Sequence, residues 1–150
     1  MDYRNIVNME LGLRSMLGRV FVRVEGAVGD GEMVFVADNG ARFLFAHEQD
    51  CCEHVRIEDL VGDLQDLVGE PLLMAEEVSG YIGSEPEYAE SYTWTYYKFA
   101  TRKGYVDVRW LGESNGYYSE SVDLFVEGAS VAEVPQSNLG ELLQARLTDR

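Results

Sequence analysis

The chain has 150 residues, enough for one domain whose core covers roughly 68–70% of its unfolded surface, so it needs no disulfide staples. It carries 12 Lys and Arg against 27 Asp and Glu, a formal charge of −15, with 46% hydrophobic and 11% aromatic residues. That apolar content excludes an acidic disordered chain, and the charge argues against general binding to nucleic acid or an anionic membrane, since counterion release needs Lys and Arg.

The first residues lack a basic stretch followed by an apolar one, and no segment approaches the ~20 apolar residues that span a bilayer. Residues 8–17 place Met9, Leu11, Leu13, Met16 and Leu17 in a short helical pattern ended by Gly18. From Arg19 the period changes to two: Val20, Val22 and Val24 alternate with Phe21 and Arg23. Gly29-Asp30-Gly31 marks a turn, Met33 to Val36 a second strand, and Asp38-Asn39-Gly40 a hairpin of type I′ before a third strand at Arg42 to Phe45.

Residues 57–69 carry Leu60, Leu64 and Leu67 at i, i+4, i+7, with Val61 and Val68 beside them, which predicts a central amphipathic helix ended by Gly69 and Pro71. Residues 72–78 read as a buried strand, and 80–90 as a polar mobile loop and candidate lid. Two long strands follow, 91–101 and 104–110, separated by Arg102-Lys103-Gly104. In the second, Val106, Val108 and Trp110 share one face, and Tyr105, Asp107 and Arg109 the other. Residues 112–118 predict a loop, 121–127 a last strand, and 138–147 a terminal helix through Leu139, Leu142, Leu143 and Leu147. No linker divides the chain. The expected fold is one α+β domain over residues 1–150, mainly antiparallel sheet with one central amphipathic helix and short terminal helices.

His47-Glu-Gln-Asp-Cys51-Cys52-Glu-His54 holds both histidines and both cysteines. Zn²⁺ accepts such a ligand set, but adjacent cysteines fit no zinc spacing, and four ligands would crowd a very tight loop. The favoured reading is a strand-to-helix connection with buried thiols and solvated imidazoles, and no metal; zinc is the alternative. Adjacent cysteines cannot staple distant parts of the chain, which suits a reducing, cytoplasmic compartment. Asp59, Asp63, Asp66 and Glu70 form no D-x-[DN]-x-[DN]-G loop and read as a solvated helix face. No P-loop, G-x-G-x-x-G or G-x-S-x-G is present, so the sequence carries no positive enzyme signal and implies no cofactor.

Charge is uneven along the chain. Residues 91–110 hold Lys98, Arg102, Lys103 and Arg109 against Asp107, a net of +3, whereas residues 1–90 hold −13 and residues 111–150 hold −5. Nine of the seventeen aromatics fall between Tyr92 and Tyr118. Aromatics interleaved with Arg and Lys offer a π face to a base and cations to phosphate, although aromatic residues favour strands in any case.

Three stretches carry a resemblance: His47-Glu-Gln-Asp-Cys-Cys-Glu leading into residues 57–69, then Glu90-Ser-Tyr-Thr-Trp-Thr-Tyr-Tyr, and Val108-Arg-Trp-Leu-Gly-Glu-Ser-Asn-Gly-Tyr-Tyr-Ser-Glu-Ser. Together they resemble the first-described phage anti-Thoeris family, the Thoeris anti-defence sponges, over about residues 17–127. The resemblance implies a non-catalytic phage protein in the host bacterial cytoplasm. Such a protein sequesters the cyclic ADP-ribose isomer made by a bacterial TIR-domain enzyme. It further implies a homodimer with a pocket at the subunit interface, hexamers as a further assembly, and in some members cyclic oligonucleotides as second ligands. Asn115 matches a family ligand contact, and Tyr105 stands where the family has a stacking aromatic. Arg109, by strand alternation, would pair with the pyrophosphate. Arg102, Lys103 and Tyr117 join the candidate site from the charge and aromatic pattern alone. Two rivals remain: an acidic DNA mimic that blocks a host nucleic-acid-binding protein, and a nucleotide-degrading enzyme on the same surface.

Overall fold

The computed structural model describes residues 5–78, 83–87 and 90–128. In chain order the elements are β1 (Asn5–Val7), α1 (Met9–Met16), β2 (Phe21–Glu25), β3 (Glu32–Ala37), β4 (Arg42–Ala46) and β5 (His54–Val61). A 3-10 turn (Leu64–Leu67), β6 (Met74–Glu77), β7 (Ser91–Thr101), β8 (Gly104–Ser114) and β9 (Asp123–Glu127) complete them. Two antiparallel sheets result, ordered β1-β9-β4-β3-β2 and β5-β8-β7-β6.

The sheets face each other across an aromatic core. Phe35 meets Phe99 with ring centroids 4.8 Å apart, and Phe45 meets Tyr97 at 5.2 Å and Phe99 at 5.6 Å. Val106, Val108 and Trp110 project inward from β8 as their alternation predicts, and all are fully buried. α1 forms where the sequence expects it. The Asn8 side chain accepts from the Leu11 amide at 3.0 Å, Gly18 follows the helix with φ 83°, and Leu13, Met16 and Leu17 enter the core.

The central helix does not exist. Residues 57–61 belong to β5, pairing Ile57 with Trp110, Leu60 with Val108 and Val61 with Asp107. Leu64 and Leu67 lie in the 3-10 turn, capped by Asp63, whose carboxylate accepts from the Gln65 amide. Two features produced a false helical period. A register irregularity between Ile57 and Asp59 breaks the strand's alternation, and Gly62, at φ 109°, turns the chain before the next leucine. The chain here therefore favours a strand and a turn, through β-branched Val55, Ile57 and Val61 and a glycine that an α-helix disfavours.

Smaller corrections have similar causes. A register shift between Phe21 and Arg23 sends both Phe21 and Val24 inward and leaves Val22 exposed. The β3–β4 hairpin is not type I′: Gly40 alone takes a positive φ, 89°, and Ala37 donates to the Ala41 carbonyl, the pattern of a three-residue loop. β6 is an edge strand with Ala75 alone of its residues buried. β8 runs on to Ser114, beyond its expected end. The helix expected over residues 138–147 lies outside the described residues, as does much of the 80–90 loop. Among the described residues no helix is long and apolar enough to cross a membrane.

Gly29 and Gly62 separate backbone strain from crowding. Both have positive φ, but a methyl group at Gly29 would meet open space, whereas at Gly62 it would strike the Tyr105 carbonyl oxygen and Val106. Gly29→Ala is expected to cost about 1 kcal/mol from backbone strain alone, and Gly62→Ala at least about twice that, measured as shifts in urea denaturation.

Candidate functional site

Outward-facing residues of the four-stranded sheet form a second surface. β7 contributes Tyr92, Trp94, Tyr96 and Lys98; β8 contributes Tyr105, Asp107, Arg109, Leu111 and Glu113. Register sets Trp94 opposite Leu111, Tyr96 opposite Arg109 and Lys98 opposite Asp107. Arg56 and Asp59 of the neighbouring β5 lie opposite Leu111 and Arg109. The segment 83–87 folds over this face: the Trp94 indole N–H donates to the Ser84 carbonyl at 2.9 Å, and Gly83 packs so close to the ring that a Cβ there would collide with it.

Between sheet and segment lies a concavity of about 620 Å³. Its walls are Arg56, Glu58 and Asp59 from β5, Trp94, Arg109, Leu111 and Glu113 from the hairpin, and residues 84–87. Two guanidiniums thus meet five carboxylates: Glu58, Asp59, Glu85, Glu87 and Glu113. Arg109 is ion-paired with Asp59, while Arg56 reaches Glu113 at 2.7 Å and Glu58 at 3.1 Å. The pairs hold both guanidinium planes in place. They also mean that an anionic ligand must exchange with a carboxylate to bind.

The six residues singled out from sequence do not converge. Arg109 lines the concavity. Tyr105 lies farther along the same face, 61% exposed, with the Lys98 ammonium 5.9 Å from its ring centre. Lys103 and Arg102 occupy the β7–β8 turn. Lys103 donates to the Gln65 and Val68 carbonyls at 2.9 and 2.8 Å, closing the 3-10 turn, and Arg102 pairs with Glu70 at 3.0 Å. Asn115 and Tyr117 sit beyond the other end of β8, roughly 35 Å of extended strand away. Asn115 accepts from the Tyr117 amide at 3.0 Å, which shapes a turn and leaves Tyr117 86% exposed.

Sequence reasoning missed Arg56, Trp94 and Leu111 as site residues. Trp94 was legible, since it shares the outward alternation of β7; Arg56 was hidden by the mistaken helix. Also missed was Glu120, a buried residue of the 115–122 loop, whose carboxylate accepts from Ser91 at 3.1 Å, Thr93 at 3.0 Å and Ser114 at 2.5 Å. Gly112 permits this, because any side chain there would meet the Glu120 backbone. The three hydroxyls anchor the loop that carries Asn115 to the end of the hairpin.

The His47–His54 segment reverses expectation. Its thiols are not buried: Cys51 and Cys52 are bonded to each other and exposed. Its first imidazole is not solvated. The His47 side chain is 4% exposed, with Nε2 at 2.8 Å from Glu53 and Nδ1 at 2.7 Å from the Ser121 carbonyl. Both ring nitrogens thus face oxygen atoms of other segments. His54 instead meets Arg56. Among the described residues no His, Cys, Asp and Glu are grouped to hold a metal ion. Glu53 is the hub. Desolvation pushes its carboxyl up, but the Asp50 amide at 2.5 Å, His47 and the Cys51 amide together hold it at about 2.

A family described as a domain of unknown function, DUF7448, matches residues 14–124, and the chain belongs to it. No curated protein and no solved structure matches the chain.

Glu53 links stability to acid. Its folded value of about 2 lies below the ~4.3 of an unfolded glutamate. The stabilisation it carries is therefore complete above that unfolded value and is lost as pH falls through about 2. Urea midpoints measured from pH 6 down to about pH 2 should fall less steeply for Glu53→Gln than for the natural protein.

Proposed function

We propose that this protein is a phage anti-defence sponge that binds a TIR-derived cyclic ADP-ribose isomer and holds it without cleaving it. The reading begins with the three sequence stretches that resemble the anti-Thoeris family. The observation that carries it is the concavity on the outer face of the β7–β8 hairpin, where Trp94 lies beside Arg109 and Arg56. An indole offers a face to adenine, two pre-oriented guanidiniums suit a pyrophosphate, and carboxylates accept from ribose hydroxyls. The carboxylate surplus also turns away polymeric nucleic acid, whose binding needs an excess of cations.

A sponge must out-compete the effector for a scarce signal, which calls for affinity near nanomolar, about −12 kcal/mol. A concavity open to solvent on one chain falls short of that, because enclosure supplies much of the desolvation. A second copy closes the site in this proposal. Tyr92 and Tyr105, exposed on the same sheet face, and Tyr117 and Tyr118 beyond the end of β8 supply aromatic surface for a homodimer, with hexamers as a further assembly. Cyclic oligonucleotides are candidate second ligands, and the host bacterial cytoplasm is where the signal is found. A second reading, an acidic mimic of nucleic acid, draws support from the five carboxylates around the concavity.

Calorimetry with a TIR-made cyclic ADP-ribose isomer tests the site. Arg109→Ala and Trp94→Ala should each weaken binding by roughly 30-fold or more, as loss of a charged hydrogen-bond pair or a buried stacking ring does. Asn115→Ala should weaken it by a smaller factor. Lys103→Ala should leave affinity within about twofold while lowering stability, because its donors go to the 3-10 turn. No binding by the natural protein, with salt-sensitive capture of a basic protein instead, would favour the mimic.

A further inference from the structure

The Cys51–Cys52 bond belongs to no part of the proposed concavity, yet it adjoins a continuous path of polar contacts that leads to the 115–122 loop. A disulfide between neighbours closes a small ring around their shared peptide bond and fixes the backbone on both sides of it. That backbone aims the Cys51 amide at Glu53, 3.1 Å from Oε2, beside the Asp50 amide at 2.5 Å from Oε1. Gln49 braces the same turn, donating from its amide to the Cys51 carbonyl at 3.0 Å and the Glu53 carbonyl at 2.6 Å. Glu53 holds His47, and His47 holds the Ser121 carbonyl. The Glu48 amide adds a second tie, to Asp123 at 3.0 Å. Ser121 lies at the foot of the loop that carries Asn115 and Tyr117, next to the buried Glu120 anchor.

We propose that Cys51–Cys52 is a reversible thiol–disulfide modification site whose state sets the order of the 115–122 loop. Both cysteines are exposed, so a small thiol reaches the bond. The reductant is a dithiol. One of its thiolates attacks a cysteine sulfur, breaking the Cys51–Cys52 bond and forming a mixed disulfide. Its second thiol then closes on the first to give a cyclic disulfide, and both cysteines leave as thiols, so two electrons and two protons pass to the protein. Exchange with a small disulfide such as oxidised glutathione reverses the step. In the bonded form the turn presents the Cys51 amide to Glu53, and the path to Ser121 is held. In the dithiol form the turn is released, Glu53 loses a fixed donor, and the His47–Ser121 tie slackens. The consequence for ligand binding rests on the site reading above; the coupling between turn and loop does not.

Hydrogen exchange without any ligand tests this coupling. Protein equilibrated with oxidised glutathione is expected to show no alkylated cysteine after iodoacetamide, and protein treated with dithiothreitol is expected to show two. Backbone exchange over residues 48–53 and 116–122 should be about tenfold faster in the reduced sample, with residues 104–111 unchanged. Cys52→Ser should exchange like the reduced protein with or without dithiothreitol. Two alkylated cysteines after the glutathione step, or equal exchange over 116–122 in the two states, would overturn the proposal.

Discussion

Eleven consecutive residue pairs, from Ser91–Ser114 to Thr101–Gly104, join β7 to β8 without a break. A strand's period of two then assigns every residue of that ladder to one of two faces. Tyr97, Phe99, Val106, Val108 and Trp110 go inward, where each is fully buried. Trp94, Tyr96, Arg109 and Leu111 must therefore go outward, with no freedom to choose. The core and the candidate site are two sides of one hairpin, so a slip of one residue would empty the first and bury the charges of the second. This is why Gly62 and Gly112 matter: each lets a neighbouring segment lie against the ladder where any side chain would push it away.

The charge on that outer face is arranged rather than merely present. Arg56 and Arg109 carry the cationic character of the concavity, yet both are engaged by carboxylates from β5 and β8. Partially exposed pairs of this kind contribute little to stability, on the order of 0–1 kcal/mol. Their main physical effect is to fix the guanidinium planes. Away from the concavity, Lys103 and Arg102 spend their charge on carbonyls and a carboxylate around the 3-10 turn. The cations of the strip are thus divided: Arg109 lines the concavity, Lys98 pairs with Asp107, and Lys103 and Arg102 tie down the 3-10 turn.

Much of this was legible in the sequence. α1 follows from Asn8, the apolar spacing through Leu17 and Gly18, and the inward face of β8 from strict alternation. The antiparallel character follows from the succession of short strands and turns. What failed did so where two periods overlapped. Leu60, Leu64 and Leu67 match a helix in spacing, but they lie on a strand, beyond a positive-φ glycine and in a 3-10 turn, held by long-range pairing with β8 that local periodicity does not encode. The same error hid Arg56. The burial of His47, Glu53 and Glu120 was equally invisible, because each depends on partners 6 to 74 residues away in the chain. The family match, confined to a domain of unknown function, adds no chemistry to these residues.

Sequestration differs from both rivals in the fate of the ligand. The most direct measurement is to incubate the protein with the cyclic ADP-ribose product of a TIR enzyme, remove unbound material, denature by heat and weigh what is released by mass spectrometry. The account predicts stoichiometric recovery at unchanged mass. A converted ligand, or none retained, would contradict it.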